Sequence, residues 1–286
     1  MTTEAERRED VRAAFDSVAD VYDGPLGNND VVQWLRGALL RLVSDTFPPG
    51  SRLLDLGCGT GIDAVQLAQR GYSVTASDWS PRMASVTRAR ALDAGVGDRM
   101  DVVTLGMHEL HRLPARSFDG IYSDLGAVNC VGDPADLAAE CARLLHPNGR
   151  AILSVIGRIC PWEMAYYLAR RRPGRAFIRW SRGAVPVSLN GSTVWTRYYT
   201  PGELGRQMSD SLELLEQRSL CLFSPPPYLL AVWNRFPRLC RVTAVLDEHL
   251  GSWPVIRGGG DHFLAVFCPR PALDSGRGAG PASPEP

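Results

Sequence analysis

The nine residues Leu53-Leu54-Asp55-Leu56-Gly57-Cys58-Gly59-Thr60-Gly61, with Asp78 closing the next apolar run, hold the chemistry that is easiest to read in this chain. Leu53, Leu54 and Leu56 make a short buried strand. The three glycines permit a tight turn into a helix where backbone must approach a ligand closely. Dinucleotide-binding loops share that much, but here Asp55 stands beside the turn and the glycine spacing departs from the dinucleotide pattern. A carboxylate there repels a pyrophosphate and suits an ammonium or sulfonium group. Asp78 comes about twenty residues after the loop, where an acid at the end of a second strand accepts hydrogen bonds from ribose hydroxyls.

Such residues need a sheet to hold them. From Arg52 to Ile156 strand and helix patterns alternate, with strands expected near 52–56, 72–77, 101–105, 118–123 and 150–156. Ser80-Pro81 and Pro134 open helices, and His146-Pro147-Asn148-Gly149 turns the chain into the fifth strand. Two helices precede this core: one around Val11, Phe15, Val18 and Val21, the other with Val31, Trp34, Leu35, Ala38 and Leu42 at helical spacing. After it, Asn190-Gly191 separates two strand patterns as a two-residue hairpin loop does.

The loop, Asp55 and Asp78 in register resemble the first motifs of class I S-adenosylmethionine-dependent methyltransferases, and the resemblance runs from about Tyr22 to Pro269. It implies an α/β, Rossmann-like methyltransferase fold: a seven-stranded, mostly parallel sheet with helices on both faces. A lid insertion would follow the fifth strand and a second insertion would precede the last. Leu212–Leu220 would be the sixth strand and His262–Phe267 the seventh. The implied organisation is an N-terminal helical cap (1–45), a cofactor-binding core (46–156), an Arg/aromatic lid (157–194), the remainder of the core (195–270) with an acceptor-pocket insertion (224–260), and a disordered tail (271–286) rich in Gly, Pro, Ser and Ala.

The implied cofactor is S-adenosyl-L-methionine. Gly57, Cys58 and Gly59 would contact its methionine part with Asp55 behind them, Asp78 its ribose, and Trp79 its adenine. Tyr22 would fold over the methionine end, or else pack between helices. Met107 stands where the family often has a polar residue, so adenine would be held by Met107 packing and the amide of His108. Methyl transfer from a sulfonium chiefly requires alignment and exclusion of water, with a base only where the acceptor loses its proton early. Asp124, at the carboxyl edge of the fourth strand, and His111 are the candidate catalytic residues. Asn129 would orient an acceptor or cap a helix, and at most one of Tyr198 and Tyr199 can face it, because strand neighbours alternate. Cys58 reads as a reactive thiol at a helix start or as a small packing residue.

Composition narrows the field. The chain has 286 residues, 45% hydrophobic, with formal charge zero, so no general polyanion-binding surface and no nucleic-acid partner are expected. All 31 basic residues are arginine, which removes lysine Schiff-base chemistry and the phosphate-loop lysine. Seven scattered cysteines with no CxxC pair read as reduced thiols; no metal site is expected, and the acidic N-terminus without a signal-peptide pattern points to the cytoplasm. Seven arginines (158, 170, 171, 172, 175, 179, 182) crowd the lid with five aromatics and a single acid, Glu163. They read as solvated lid residues, as a grip on an anionic acceptor, or as peripheral membrane contact through 157–182 with a lipid-like acceptor. The expected activity is methylation of a small or amphipathic molecule at O, N or C. Alternatives are a non-methylating use of the cofactor (cyclisation, hydrolysis or binding only), a nicotinamide oxidoreductase, and a membrane adaptor. The acceptor and the oligomeric state are not legible.

Overall fold

The computed structural model describes residues 2–24 and 27–271. In chain order its elements begin with α1 (Glu4–Val18), α2 (Asp30–Thr46), β1 (Arg52–Leu56), α3 (Ile62–Gln69), β2 (Ser73–Asp78), α4 (Pro81–Asp93) and β3 (Met100–Thr104). They continue with β4 (Phe118–Ser123), α5 (Pro134–Leu144), β5 (Leu145–Ile156), α6 (Pro161–Ala169), α7 (Pro173–Ala176), and the hairpin β6 (Val185–Leu189) and β7 (Ser192–Thr196). The chain closes with α8 (Pro201–Gln207), β8 (Leu212–Leu220), α9 (Leu230–Arg235), α10 (Pro237–Leu250) and β9 (His262–Pro269).

Seven strands form one sheet in the order β3-β2-β1-β4-β5-β9-β8. β1 to β5 pair in parallel, and β9 runs antiparallel to both its neighbours. Strand order reverses between β1 and β4, so a crevice opens at their carboxyl ends, where the two connections leave on opposite faces. Two apolar layers cover the sheet. One joins α2, α3 and α4 to β1 and β2 through Leu35, Leu39, Val43, Leu67 and Ala91. The other joins α5 and α8 to β4, β5 and β9 through Leu137, Cys141, Leu204, Leu153 and Phe267.

Local chemistry sets the element boundaries. The Asn29 side chain accepts from the amides of Val31 and Val32 and so starts α2; Ser80 does the same for Met83 in α4, with Pro81 at the first helical position. The fifth strand starts earlier than expected from the sequence: Leu145 already pairs with Phe118, and the register then jumps to Gly120–Arg150. A bulge absorbs His146–Gly149 inside the strand, so that segment does not form a separate turn.

The insertion after β5 contains α6, α7 and the Asn190-Gly191 hairpin, with Asn190 at φ 48° and Gly191 at φ 86° as a type I′ loop requires. Arg179 ties this insertion to the sheet. Its side chain, 7% exposed, donates to the carbonyls of Gly157 and Asp261 and pairs with Glu163 at 2.6 Å and Asp261 at 2.7 Å. Hence one of the seven lid arginines is a buried anchor, unlike the exposed Arg170, Arg171, Arg172, Arg175 and Arg182. The segment between β8 and β9 folds into α9 and α10. Glu248 there accepts from Trp34 and Arg41 on α2, which holds α10 on the α2 face of the sheet. The expected disordered tail lies outside the described residues except for its first position, 271.

Candidate functional site

A cavity of about 600 Å³ opens at the β1/β4 crevice. Its floor is the turn after β1. Gly57 takes φ 73°, and a Cβ there would stand 2.6 Å from the Cβ of Ala127, so only glycine fits against the neighbouring strand connection. At the end of β2, Asp78 accepts from the backbone amides of Gly59 at 2.9 Å and Ser80 at 2.8 Å. Burial pushes its carboxyl up to about 6, against the opposing pull of those two amides.

The N-terminal segment is pulled over this floor by side-chain contacts. Thr60 of the turn donates to Asp23 at 2.8 Å, Arg90 of α4 pairs with the same carboxylate, and Ser80 and the Arg82 amide donate to Asp16. Tyr22 is thereby set at the cavity wall, its ring 6.1 Å from Phe15. At the other end, the 3-10 turn Met107–Arg112 follows β3 and contributes Met107, His108 and His111. The His108 ring meets Trp79 edge-on at 4.5 Å, and burial together with Arg8 of α1 lowers its pKa. The residues expected from the sequence to bind cofactor or act in catalysis, Tyr22, Asp55, Gly57, Cys58, Gly59, Asp78, Trp79, Met107, His108, His111 and Asp124, line this one cavity. Cys58 has its thiol pushed well up by burial and by Asp78 and Asp55, which leaves it without thiolate character.

Among the lining residues that sequence reasoning missed are Arg36 and Asp63. Arg36 of α2 is buried and pairs with Asp63 in the first turn of α3, with Asp124 and Asp55 close by. Burial and Asp124 raise the Asp63 pKa, while Arg36 pulls it down. Burial and Asp63 raise that of Asp55 well above the carboxylate range. The cluster holds three acids and one guanidinium, and Nε of Arg36, Oδ1 of Asp63 and Oδ2 of Asp124 are buried with no hydrogen-bond partner among the described residues. Unsatisfied donors and acceptors of both signs, side by side, match the ammonium and carboxylate of an amino acid. A signal for Arg36 was available: it sits between Val32, Leu40 and Val43 on the apolar stripe of α2, where a free arginine would be costly.

Several expectations do not hold. No residue of 224–260 lines the cavity, because α10 is fastened to α2 on the sheet face; of 157–194, only Val194 does. The outer walls are instead α1 (Glu4, Arg8, Val11, Arg12, Phe15), the 130–140 segment and β7. Neither Tyr198 nor Tyr199 faces it: Tyr198 lies under the Arg179 guanidinium at 5.1 Å, and Tyr199 is buried with Leu204 and Leu137. Asn129 neither orients an acceptor nor caps α5. Its amide donates to the carbonyls of Ile156 and Arg197 and accepts from the Ile156 amide, and Asp133 caps α5.

Comparison with known proteins agrees with this geometry. Residues 54–153 match the family described as "Methyltransferase domain". A ubiquinone biosynthesis O-methyltransferase of Xanthomonas axonopodis pv. citri is 35% identical over 203 residues, 69% of this chain and 74% of that protein. The chain belongs to the class I S-adenosylmethionine-dependent methyltransferases. A second ubiquinone biosynthesis O-methyltransferase, from Hahella chejuensis, is 30% identical over 60% of this chain and 67% of its own length. Among solved structures, the 1,6-didemethyltoxoflavin-N1-methyltransferase of Burkholderia thailandensis, with S-adenosylhomocysteine bound, shares the fold at a TM-score of 0.58 and 16% identity, covering 94% of this chain and 91% of that one. This methyltransferase uses S-adenosyl-L-methionine and acts on a small molecule. Among the described residues no helix is long and apolar enough to cross a membrane.

Proposed function

We propose that this methyltransferase transfers its methyl group to a hydroxyl oxygen of a small amphipathic aromatic molecule, a phenol resembling the quinone precursors implied by its relatives' names. The observation that carries the reading is the single cavity joining the Gly57–Gly59 turn and Asp78 to a compartment roofed by α1 and bordered by His111 and β7. S-adenosyl-L-methionine supplies an electrophilic methyl on a sulfonium. In this reading Arg36 receives the carboxylate of its methionine part, while Asp63, Asp124 and Asp55 face the ammonium. Asp78 accepts from the ribose hydroxyls, and Trp79, Met107 and His108 border the adenine. Tyr22 closes the methionine end.

Asp124 then serves electrostatically, because Arg36 and Asp63 are its neighbours and the Leu125 amide already donates to it at 2.7 Å. His111 is the residue assigned to the acceptor's proton: it lines the outer compartment, and among the described residues no hydrogen-bond partner occupies its ring nitrogens. Val11, Phe15 and Val194 offer apolar contact for a lipid-like portion, and Arg8, whose exposed partner Glu4 stands 3.8 Å away, offers positive charge for an anionic one, Arg12 being engaged by Glu9 and Asp16. We extend the reading to a cytoplasmic enzyme that touches a membrane surface through 157–182, where Leu168, Phe177 and Trp180 are 47%, 39% and 53% exposed.

Pure protein incubated with the cofactor and a series of catechols and phenols tests this. Acceptor-dependent release of S-adenosylhomocysteine is expected. Methylthioadenosine as the only product would overturn methyl transfer, and turnover of amines but not phenols would overturn the assignment to oxygen.

A further inference from the structure

A second concavity, of about 370 Å³, lies in the insertion after β5 and shares no lining residue with the methyl-transfer cavity. Tyr166, Tyr167, Arg170, Arg172 and Arg175 bound it. No residue of α6 is fully buried; Trp162 and Glu163 tie it inward, through the Leu222 carbonyl and Arg179, and Tyr166, Tyr167 and Arg170 take no part in those two contacts. After α6 ends, Arg171 adopts φ 55°, a left-handed conformation unfavourable for a non-glycine residue. That reversal lets the Arg172 amide donate to the Tyr167 carbonyl at 2.9 Å and sets Pro173 at the start of α7, which brings Arg175 back toward α6.

The two tyrosine rings meet edge to face at 5.2 Å, and each holds a guanidinium over it: Arg170 at 3.8 Å from the Tyr166 centroid and Arg175 at 6.0 Å from that of Tyr167. Arg172 enters from the turn between them. Among the described residues none of these three arginines has a carboxylate partner; the nearby acid, Glu163, is taken by Arg179. Three like charges facing one concavity repel each other, and an anion placed among them removes that cost. The planar forks of guanidinium match the oxygens of a phosphate, and the rings fix two of the forks beforehand.

We propose that the turn between α6 and α7 is a phosphate-recognising site, gripping a phosphate mono- or diester through Arg170, Arg172 and Arg175 with Tyr166 and Tyr167 as the platform. The site stands independently of the identity of the methyl acceptor. Its phosphate comes either from a soluble phosphorylated molecule or from the headgroup of an anionic phospholipid, with exposed Leu168 on the same helix and Phe177 just beyond α7.

The test uses the full chain in two arms: calorimetric titration with inorganic phosphate, and co-sedimentation with phosphatidylcholine vesicles with and without phosphatidylglycerol. Wild type is compared with the R170Q/R172Q/R175Q variant and with R171Q/R182Q, which removes exposed arginines that do not line the concavity. S-adenosylhomocysteine binding serves as the control for folding in each. The triple variant is expected to lose phosphate affinity, or phosphatidylglycerol-dependent sedimentation, by roughly tenfold or more, with the double variant close to wild type. Phosphate binding without vesicle binding supports the site with a soluble ligand and overturns the membrane contact proposed above. Sedimentation that requires phosphatidylglycerol supports the headgroup. No binding in either arm, a triple variant that binds as wild type does, or equal losses in both variants would overturn the site.

Discussion

At Asp78 a single carboxyl couples cofactor binding to pH. Burial raises it to about 6 from an ordinary 3.8, so it is ionised above that value and protonated below. Ribose hydroxyls donate to the ionised form. Affinity for S-adenosylhomocysteine is therefore expected to rise with pH through about 6 and to level off above 7, measured by calorimetry across pH 5–8. Stability of the ligand-free protein runs the other way for this group: a carboxyl raised in the folded state stabilises fully below the unfolded value of 3.8, and that contribution is lost as pH rises through about 6. The thermal shift produced by the cofactor should consequently grow between pH 5 and 7. Replacing Asp78 by Ala should weaken cofactor binding by about 1–3 kcal/mol, the scale for losing hydrogen bonds to a charged acceptor. An unchanged Kd would show the ribose to lie elsewhere. Arg36→Met is expected to impair binding more than Arg36→Lys does, because Lys keeps the charge for the carboxylate while Met leaves Asp63, Asp124 and Asp55 without a nearby cation.

Elements matter here through what they bring to the crevice. α1 buries only Ala14 and Val18, so it owes its place less to an apolar stripe than to polar contacts at both ends. Trp195 of β7 donates to Asp10 at 2.9 Å and lies under Arg7 at 4.6 Å; Asp16 accepts from the start of α4. This helix supplies one wall of the outer compartment, including Phe15 and Arg8. Trp195→Ala should thus raise the KM for the acceptor by several-fold while leaving S-adenosylhomocysteine affinity within about twofold, since Arg36, Asp63, Asp78 and the Gly57–Gly59 turn, which make most of the proposed cofactor contacts, lie outside α1 and β7. Equal losses for both ligands would mean that α1 organises the cofactor end as well. The helical patterns of α1 and α2 were legible in the sequence. That α1 would close over β7 was not, because the contacts joining them, Asp10–Trp195 and Arg7–Trp195, are separated by more than 180 residues.

Across the whole molecule, the buried ion-pair cluster of Arg179 joins the insertion after β5 to the ends of β5 and β9. Arg179→Met removes the cation that satisfies Glu163 and Asp261 in a nearly water-free place, and should cost about 3–5 kcal/mol of stability in denaturant unfolding. A loss below 1 kcal/mol would show the insertion to be held by other contacts. The insertions bear most directly on how far the sequence can be read. By itself the chain determined its sheet and the cofactor end of its crevice. A buried strand, a glycine turn and an acid at the next strand end follow each other locally, and backbone geometry gives such a run few ways to fold. Only the tertiary structure decided which distant pieces wall the cavity: α1 and β7 rather than 224–260, Arg36 beside Asp63 and Asp124, and Arg179 withdrawn from solvent while Arg170, Arg172 and Arg175 stay outside. Composition cannot separate those arginines, because burial of a charge depends on whether folding carries a carboxylate to it, and the partner of Arg179 at Asp261 is 82 residues away along the chain.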